Sequence, residues 1–286
     1  TVHGNNIFPI EIDGTFDDCQ NIVKSILIDK SFSNQFSIAA VNSINWSRVM
    51  AQIIYYFYSL IKNDISEKDL INFSVPTGNF GDIYAGYVAI KMGLPANKLV
   101  IATNENDILD RFIKSGNYSI NEVAKTSSPS MDIAIASNFE RLLFEINNKS
   151  TEKTSKNMDD LRTNNGFDVS EDQLNLVKKL FASKRINQDE VENLIKNTYD
   201  EFNYVIDPHT AIGLGASREI NNEDEYNFIL GTAHPLKFSK TVEKAIEKNI
   251  YSSDKTNGDF KEEEKFFSFE NSESKVREII KNNVKK

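Results

Sequence analysis

Cysteine is almost missing. Cys19 is the lone one among 286 residues, which excludes an internal disulfide framework and suits a reducing compartment, so a cytoplasmic location is expected. Long hydrophobic runs are missing too: no apolar stretch approaches the roughly 18 residues needed to span a bilayer, and no signal peptide opens the chain. Basic residues are in deficit, with Lys+Arg 33 against Asp+Glu 42 and a formal net charge of -9. No basic face is left to track phosphate backbones, which argues against a nucleic-acid binder. Neither a membrane, a metal nor an obligate protein partner is expected. An initiating Met is also lacking, for the chain starts TVHGNN and its first apolar run reads as a strand already under way. The expectation is a piece of a longer protein. There is no internal repeat and no low-complexity block. The hydrophobic share of 40% suffices for one large domain, or for one domain plus part of another.

Ile7–Ile12 alternates and is closed by Asp13-Gly14, a strand and turn. Thr15 reads as an N-cap, with Asp17 and Asp18 in the first turn and Phe16, Cys19, Ile22, Val23, Ile26 and Leu27 on one face. Phe36–Val41 is a second short apolar run. A long helix is predicted from Asn45, with Trp46, Val49, Met50, Ile53, Phe57 and Leu60 sharing a face. Leu70–Val75 reads as a strand, Ile83–Met92 as a helix stopped by Gly93, and Leu99–Thr103 as another strand. Such alternation predicts βαβ units and a largely parallel sheet. Asn138 reads as the cap of FERLLFEI. Asn147–Gly166 is polar and aperiodic, a linker or exposed insert. Two amphipathic helices, Ser170–Ala182 (with Ser170 and Gln173 spaced as a capping box) and Asp189–Phe202, read as a helical hairpin added to the sheet domain. The α/β pattern resumes with Pro208–Arg218 as a helix, Tyr226–Gly231 as a strand and helices after Phe238; the tail from Lys275 reads as a surface helix.

The stretch PTGNFGD, residues 76–82, sits between the strand LINFSV and a helix. A parallel strand running through a glycine turn into a helix N-terminus points backbone N–H groups outward, where the helix dipole favours an anion. Gly78 and Gly81 permit conformations and a close approach that a Cβ would block, and Asn79 adds side-chain hydrogen bonds. Asp82 is expected to cap the helix, since it would repel a phosphate. No Gly-Lys-Ser/Thr follows and the spacing is not GxGxxG, so neither a Walker nor a dinucleotide loop is present. On spacing alone, an anion site and an ordinary tight βα turn both stand.

Six words occur in order: SVPTGNFGD, IATNEND, SPSMDI with SNFERLLFE, DPHTAIG and GTAHPLKF. In that order, and with NSINWSRVMAQIIYYF fitting as well, the chain from about Asn5 to about Phe238 resembles the threonine synthases, most of all their long fungal and proteobacterial branch. The resemblance implies an α/β fold of the fold-type II pyridoxal-phosphate enzymes (tryptophan synthase β-like), with a parallel sheet, helices on both faces and a helical insert. It implies pyridoxal 5'-phosphate as cofactor and a carbon–oxygen lyase acting on phosphates, which converts O-phospho-L-homoserine and water into L-threonine and phosphate. It divides the chain into 1–40 as the end of the small domain, 41–138 as the core with the phosphate loop, 139–205 as the helical insert and 206–286 as the rest. By the same resemblance, Gly78, Asn79, Phe80 and Gly81 form the cup around the cofactor phosphate. Thr232 offers its hydroxyl to the pyridine nitrogen, which would stay largely unprotonated; read alone, it is a strand-end hydroxyl satisfied by backbone. Asn45, and less directly Ser43, lie near the substrate phosphate, although either asparagine of NSIN also reads as an N-cap. Arg48 would add charge there or serve packing. His234 and His209 read as structural, and His3 as without a role.

The family's cofactor-bonding lysine lies upstream of the glycine loop in a Phe-Lys-Asp context, and that triplet does not occur here. Phe260-Lys261 sits in a charged stretch that reads as a solvated face, and Lys237 of HPLKF is expected to face solvent. The chain is thus expected to carry no catalytic residue and to be inactive alone; apolar surface left open around Val2–Ile12 and the helix after it is expected to make it poorly soluble. In the full-length enzyme the resemblance implies γ-elimination of phosphate and addition of water at the β-carbon, with the lysine as acid and base. Two other readings stay open. One is a threonine-synthase-like phospho-lyase that makes no threonine. The other is a non-catalytic phosphate- or nucleotide-binding α/β module, which wants an acidic residue about 20 positions past the glycines; Glu105 and Asp107 lie beyond that distance.

Overall fold

The computed structural model describes residues 4, 6–66, 69–222, 224–250 and 265–284; His3, Phe260 and Lys261 lie outside them. Two compact units result, Thr1–Asn45 with Tyr251–Lys286, and Trp46–Ile250. In the first, strand β1 (Ile10–Asp13) starts at Ile10 rather than Ile7, because the Ile7 amide closes a turn on Gly4 O at 3.2 Å. Helix α1 (Phe16–Ile28) opens on the expected cap. The Asp18 amide donates to Thr15 Oγ1 at 3.2 Å and the Thr15 amide to Asp18 Oδ2 at 2.7 Å, so two orphan donors are satisfied reciprocally. After α2 (Lys30–Gln35), Phe36–Val41 forms no strand. The Ile38 amide folds back to Ser33 O at 2.9 Å, past Ser37 at a φ of 51°. Ile22, Ile26 and Phe32 make this unit's core.

Helix α3 (Trp46–Lys62) starts the second unit with Val49, Ile53, Tyr56 and Leu60 buried, while Trp46 and Met50 of the predicted face stay exposed. Then come β2 (Ile71–Pro76), α4 (Gly81–Lys91), β3 (Lys98–Thr103), α5 (Ile108–Ser115), β4 (Asn117–Ser119) and a 3-10 turn over Pro129–Met131. Next are α6 (Phe139–Ile146), α7 (Thr151–Asn164), β5 (Gly166–Asp168), α8 (Glu171–Lys178), β6 (Phe181–Arg185) and α9 (Gln188–Phe202). The unit closes with α10 (Pro208–Ile220), β7 (Tyr226–Ile229), a 3-10 turn over Pro235–Phe238 and α11 (Ser239–Ile246). Strand β8 (Phe267–Glu270) and α12 (Glu273–Asn283) belong to the first unit, where β8 pairs in parallel with β1 and Val276 and Ile280 pack on the core.

The main sheet runs β6-β3-β2-β7 with every neighbouring pair parallel. Its central strand β2 is buried at all its residues, as a strand covered on both faces must be. Phe73 packs on Tyr56 of α3 with ring centroids 4.9 Å apart, and on the opposite face Ser74 Oγ donates to Gly213 O of α10 at 2.6 Å. The α/β expectation of a parallel sheet between helices therefore stands.

Two sequence expectations are corrected. Residues 151–164 are helix α7, started by Ser150 Oγ accepting from the Lys153 amide at 3.2 Å, not an unstructured linker; only Thr154 and Leu161 of it are buried, so no apolar stripe announced it. The Ser170–Ala182 helix stops at Lys178, although its capping box with Gln173 is present. Lys98 Nζ donates to the carbonyls of Lys178 and Lys179 at 3.1 and 2.9 Å, and the chain turns into β6, which pairs with β3 from Leu99↔Phe181 onward. The supposed hairpin thus contributes a strand of the sheet itself.

Gly86 of α4 faces Tyr56 of α3. A Cβ there would stand 2.6–3.0 Å from the ring atoms and hydroxyl of Tyr56, which is fully buried. Gly86→Ala should therefore cost about 1–3 kcal/mol, read as a lower urea midpoint at unchanged m-value. Adding Tyr56→Leu should recover part of the loss, although it sacrifices the Tyr56 hydrogen bond.

Candidate functional site

At the carboxyl edge of the sheet, β2 delivers the glycine loop. The Thr77 amide still donates to Ala102 O of β3 at 2.8 Å, and Thr77 Oγ1 to Val75 O at 2.6 Å. At Gly78 the chain leaves the sheet. A Cβ on Gly78 would meet Ser130 O at 2.7 Å and Met131 Cα at 3.1 Å, so the Pro129–Met131 turn forms the wall behind the loop. Asn79 Oδ1 accepts from the Gly81 amide at 3.0 Å. Phe80 takes a left-handed φ of 67°, which costs an L-residue roughly 1–2 kcal/mol. Its ring is held in the core by Phe139 and Phe181, at centroid distances of 5.5 and 5.9 Å. Among the described residues neither the Gly78 nor the Phe80 amide donates to a protein group. Two donors are thus left at the head of α4, where its dipole is positive.

Phe80, not Asp82, occupies the cap position, and it makes no side-chain cap bond. Asp82 instead sits in the first turn, with Tyr56 Oη donating to its carbonyl at 2.8 Å and to Oδ1 at 3.3 Å. Burial pushes its carboxyl up to about 6, against the pull of the Tyr56 hydrogen bond and the Arg48 charge. Asp82 lines a cavity of about 420 Å³ together with Arg48, Gln52, Gly231 and Thr232. Among the described residues, Gln52 Oε1 is buried there without a partner.

Thr232 follows β7, which ends at Ile229 rather than at Gly231 as expected; the Leu230 amide makes the last bond to β2, on Ser74 O at 3.0 Å. Strands β2 and β7 are neighbours, so the segments beyond them emerge side by side. The backbone-satisfied reading of Thr232 does not hold: the residue is exposed and its hydroxyl has no partner among the described residues. His234 is exposed and its Nδ1 accepts from the Leu236 amide at 3.2 Å, a structural bond that caps the Pro235–Phe238 turn. Lys237 is exposed, with Nζ 5.6 Å from the Phe238 ring centroid. His209 is buried, with Nδ1 2.8 Å from Asp207 Oδ1 and Nε2 without a partner among the described residues. Burial would raise the Asp207 carboxyl, but hydrogen bonds from His209 and Thr210 outweigh it and hold the group below its ordinary value. Asp207 also caps α10. Ser43 and Asn45 belong to the Thr1–Asn45 unit. Asn45 closes a turn on Asn42 O at 3.0 Å and donates its side-chain amide to Ala40 O at 2.9 Å.

Sequence reasoning missed the part played by Asn138. It precedes α6 as expected, but its side chain makes no cap bond; the backbone amide and Nδ2 both donate to Asn79 O, at 2.9 and 3.0 Å. The acidic residues a nucleotide module would use are engaged elsewhere. Glu105 pairs with Arg185 at 3.1 Å, and Asp107 with Arg111 at 2.9 Å and Arg185 at 3.5 Å.

With this geometry in view, residues 210–280 match the family model "Threonine synthase, C-terminal". The chain is 44% identical over 265 residues to threonine synthase of Saccharomyces cerevisiae, and 43% identical over 246 residues to that of Pseudomonas aeruginosa, in each case across 86% of this chain and 52% of the relative. Among solved structures it superposes on the PLP-bound threonine synthase from Brucella melitensis with a TM-score of 0.84 at 39% identity, covering 99% of this chain and 61% of that one. For the yeast threonine synthase structure the values are 0.82, 40%, 99% and 60%. The chain spans about half the length of the curated relatives it matches.

Proposed function

This chain belongs to the threonine synthase family, and on that footing we propose that it forms the cofactor-holding part of an enzyme that converts O-phospho-L-homoserine and water into L-threonine and phosphate with pyridoxal 5'-phosphate. One observation carries the reading. The unengaged amides of Gly78 and Phe80 at the head of α4 and the unengaged Thr232 hydroxyl emerge from adjacent strand ends. These donor sets fit the group: peptide N–H groups suit a phosphate, and a neutral hydroxyl suits a pyridine nitrogen left unprotonated. Gly78, Asn79, Phe80 and Gly81 would hold the phosphate and Thr232 the ring nitrogen. When bound, the cofactor supplies an electron sink for charge that develops on the substrate carbons.

The chain's own groups bind and orient. The Gly78 and Phe80 amides fix the phosphate end, Asn79 Oδ1 shapes the loop through Gly81, and Thr232 sets the tilt of the ring. Asn45 and Ser43 are assigned to the substrate phosphate. No residue of this chain is assigned the lysine's proton-transfer role, so the chain alone is expected to be inactive. The domain divisions at 40, 138 and 205 and a cytoplasmic location belong to the same proposal. Among the described residues no helix is long and apolar enough to cross a membrane.

Calorimetry of the purified chain with pyridoxine 5'-phosphate and with pyridoxine, neither of which needs a lysine, tests the cup. The phosphorylated compound should bind at least about 100-fold tighter, roughly 2.7 kcal/mol; equal affinities would sink the reading. For the full-length protein, product analysis separates the alternatives: threonine and phosphate from O-phospho-L-homoserine support a synthase, whereas phosphate release without threonine favours the phospho-lyase.

A further inference from the structure

We propose that Asn138 is a positioning residue that locks the Asn79–Phe80 peptide in the orientation able to receive a phosphate. The proposal rests on the reading of Gly78–Gly81 as a phosphate cup. Asn138 stands where a helix cap belongs, yet its side chain caps no amide of its own helix α6. Its backbone N–H and its Nδ2 converge on the single oxygen of Asn79, at 2.9 and 3.0 Å, and Nδ2 also donates to Ser137 Oγ at 3.4 Å. Its own Oδ1 accepts from Arg141 Nε at 3.1 Å, and the Arg141 guanidinium lies over the Trp46 ring, 5.4 Å from its centroid. With only 2% of the residue exposed, this amide is held from both ends and cannot rotate to swap its donor and acceptor.

The consequence follows from peptide geometry. In a planar trans peptide the carbonyl and the following N–H point in opposite directions. Holding Asn79 C=O on Asn138 therefore aims the Phe80 N–H away from Asn138, and that N–H is one of the two amides with no protein partner among the described residues. The arrangement needs a lock because Phe80 carries a steric penalty for its φ of 67°. Flipping the Asn79–Phe80 peptide changes ψ of Asn79 and φ of Phe80 by about 180° each, which returns Phe80 to the broad negative-φ region. The flip would relieve the strain and turn the Asn79 carbonyl oxygen toward the place the N–H had faced. A donor would become an acceptor, and an anion would be repelled. Two hydrogen bonds onto one carbonyl, made by a buried residue far along the chain, oppose that flip.

The test compares the wild-type protein with Asn138→Asp and Asn138→Ser by calorimetry, with pyridoxine 5'-phosphate and pyridoxine as probes, and by thermal melting. Asn138→Asp keeps the shape and the Arg141 contact but sets an oxygen against the Asn79 carbonyl. Asn138→Ser removes the side-chain donor without adding charge. The expected result is a fall of at least about tenfold in the preference for the phosphorylated probe, with pyridoxine affinity unchanged, in folded variants. The 31P resonance of bound pyridoxine 5'-phosphate should shift as well, since one amide donor is lost. An unchanged preference in a folded variant overturns the proposal. So does an equal loss for both probes, or failure of both variants to fold, because either makes Asn138 a general structural residue. A wild-type protein with no phosphate preference would instead strike down the cup reading itself, whatever the variants do.

Discussion

Gly78→Ala should cut affinity for pyridoxine 5'-phosphate by at least about 100-fold, roughly 2.7 kcal/mol, while leaving pyridoxine binding within a few-fold of its original value. The new methyl would lie 2.7 Å from Ser130 O and 3.1 Å from Met131 Cα. Both are backbone atoms, so no side chain can swing aside. Nor can the wall retreat. Thr126, Ser128 and Asp132 are tied to the buried Asn104, whose Nδ2 reaches Ser128 Oγ at 2.9 Å and Asp132 Oδ1 at 2.8 Å, and the Met131 amide closes on Ser128 O at 2.9 Å. The glycine loop has to move instead, and it carries the amides of the proposed cup with it. Overpacking of this kind also costs about 1–3 kcal/mol of stability, measurable by urea unfolding. Gly93→Ala is the control. Gly93 has a φ of 106° but nothing within 4 Å of its Cβ direction, so its loss of stability should be conformational and its probe affinity intact. Unimpaired phosphate binding in folded Gly78→Ala would contradict the placement of the wall.

The second large effect concerns pH. Burial raises the Asp82 carboxyl from 3.8 to about 6, so between those values the folded protein holds a proton that the unfolded chain has released. Stability then falls as pH rises from about 4 to about 6, and the loss is complete above that window. Asp82→Asn removes the penalty. At pH 4 variant and wild type should melt together. At pH 8 the variant should be the more stable by on the order of 2 kcal/mol, since each pH unit between the two values contributes about 1.4 kcal/mol and water in the cavity that Asp82 lines reduces the sum. For a unit of this size that is roughly 5 °C in Tm. A difference that is constant with pH, or one that favours the wild type at pH 8, would show that the carboxyl is ionised and well solvated in the folded state.

The parts of this fold that were legible in the sequence are those whose cause is local. The β2–loop–α4 unit declared itself because an apolar strand, two glycines and a helix start are consecutive; the Thr15 and Ser170 caps did so because each partner stands at the third helical position. What stayed hidden has its cause far away in the chain. Phe181–Arg185 becomes a strand because β3 offers it an open edge, not because FASKR alternates. Helix α7 touches the core through so few residues that its period is invisible. Asp82 reads as a cap only if the helix is assumed to begin in the ordinary way, and the left-handed Phe80 removes that assumption. Within the site, the loop glycines and Thr232 could be singled out from the ordered family words. Asn138 could not, because an asparagine ahead of a helix already has a sufficient local explanation.

The Arg141–Trp46 contact has an optical consequence. Trp46 is the chain's single tryptophan, and it stands at the end of a short relay: indole to Arg141, Arg141 to Asn138, Asn138 to the Asn79 carbonyl. A guanidinium close to the ring face perturbs indole emission, and this one also donates to the Asn138 amide that bonds the Asn79 carbonyl. Excited at the red edge, where the tyrosines do not absorb, the protein therefore carries its own fluorophore for the state of the Gly78–Gly81 loop. Stopped-flow experiments can follow loop rearrangement on the unlabelled, unsubstituted chain.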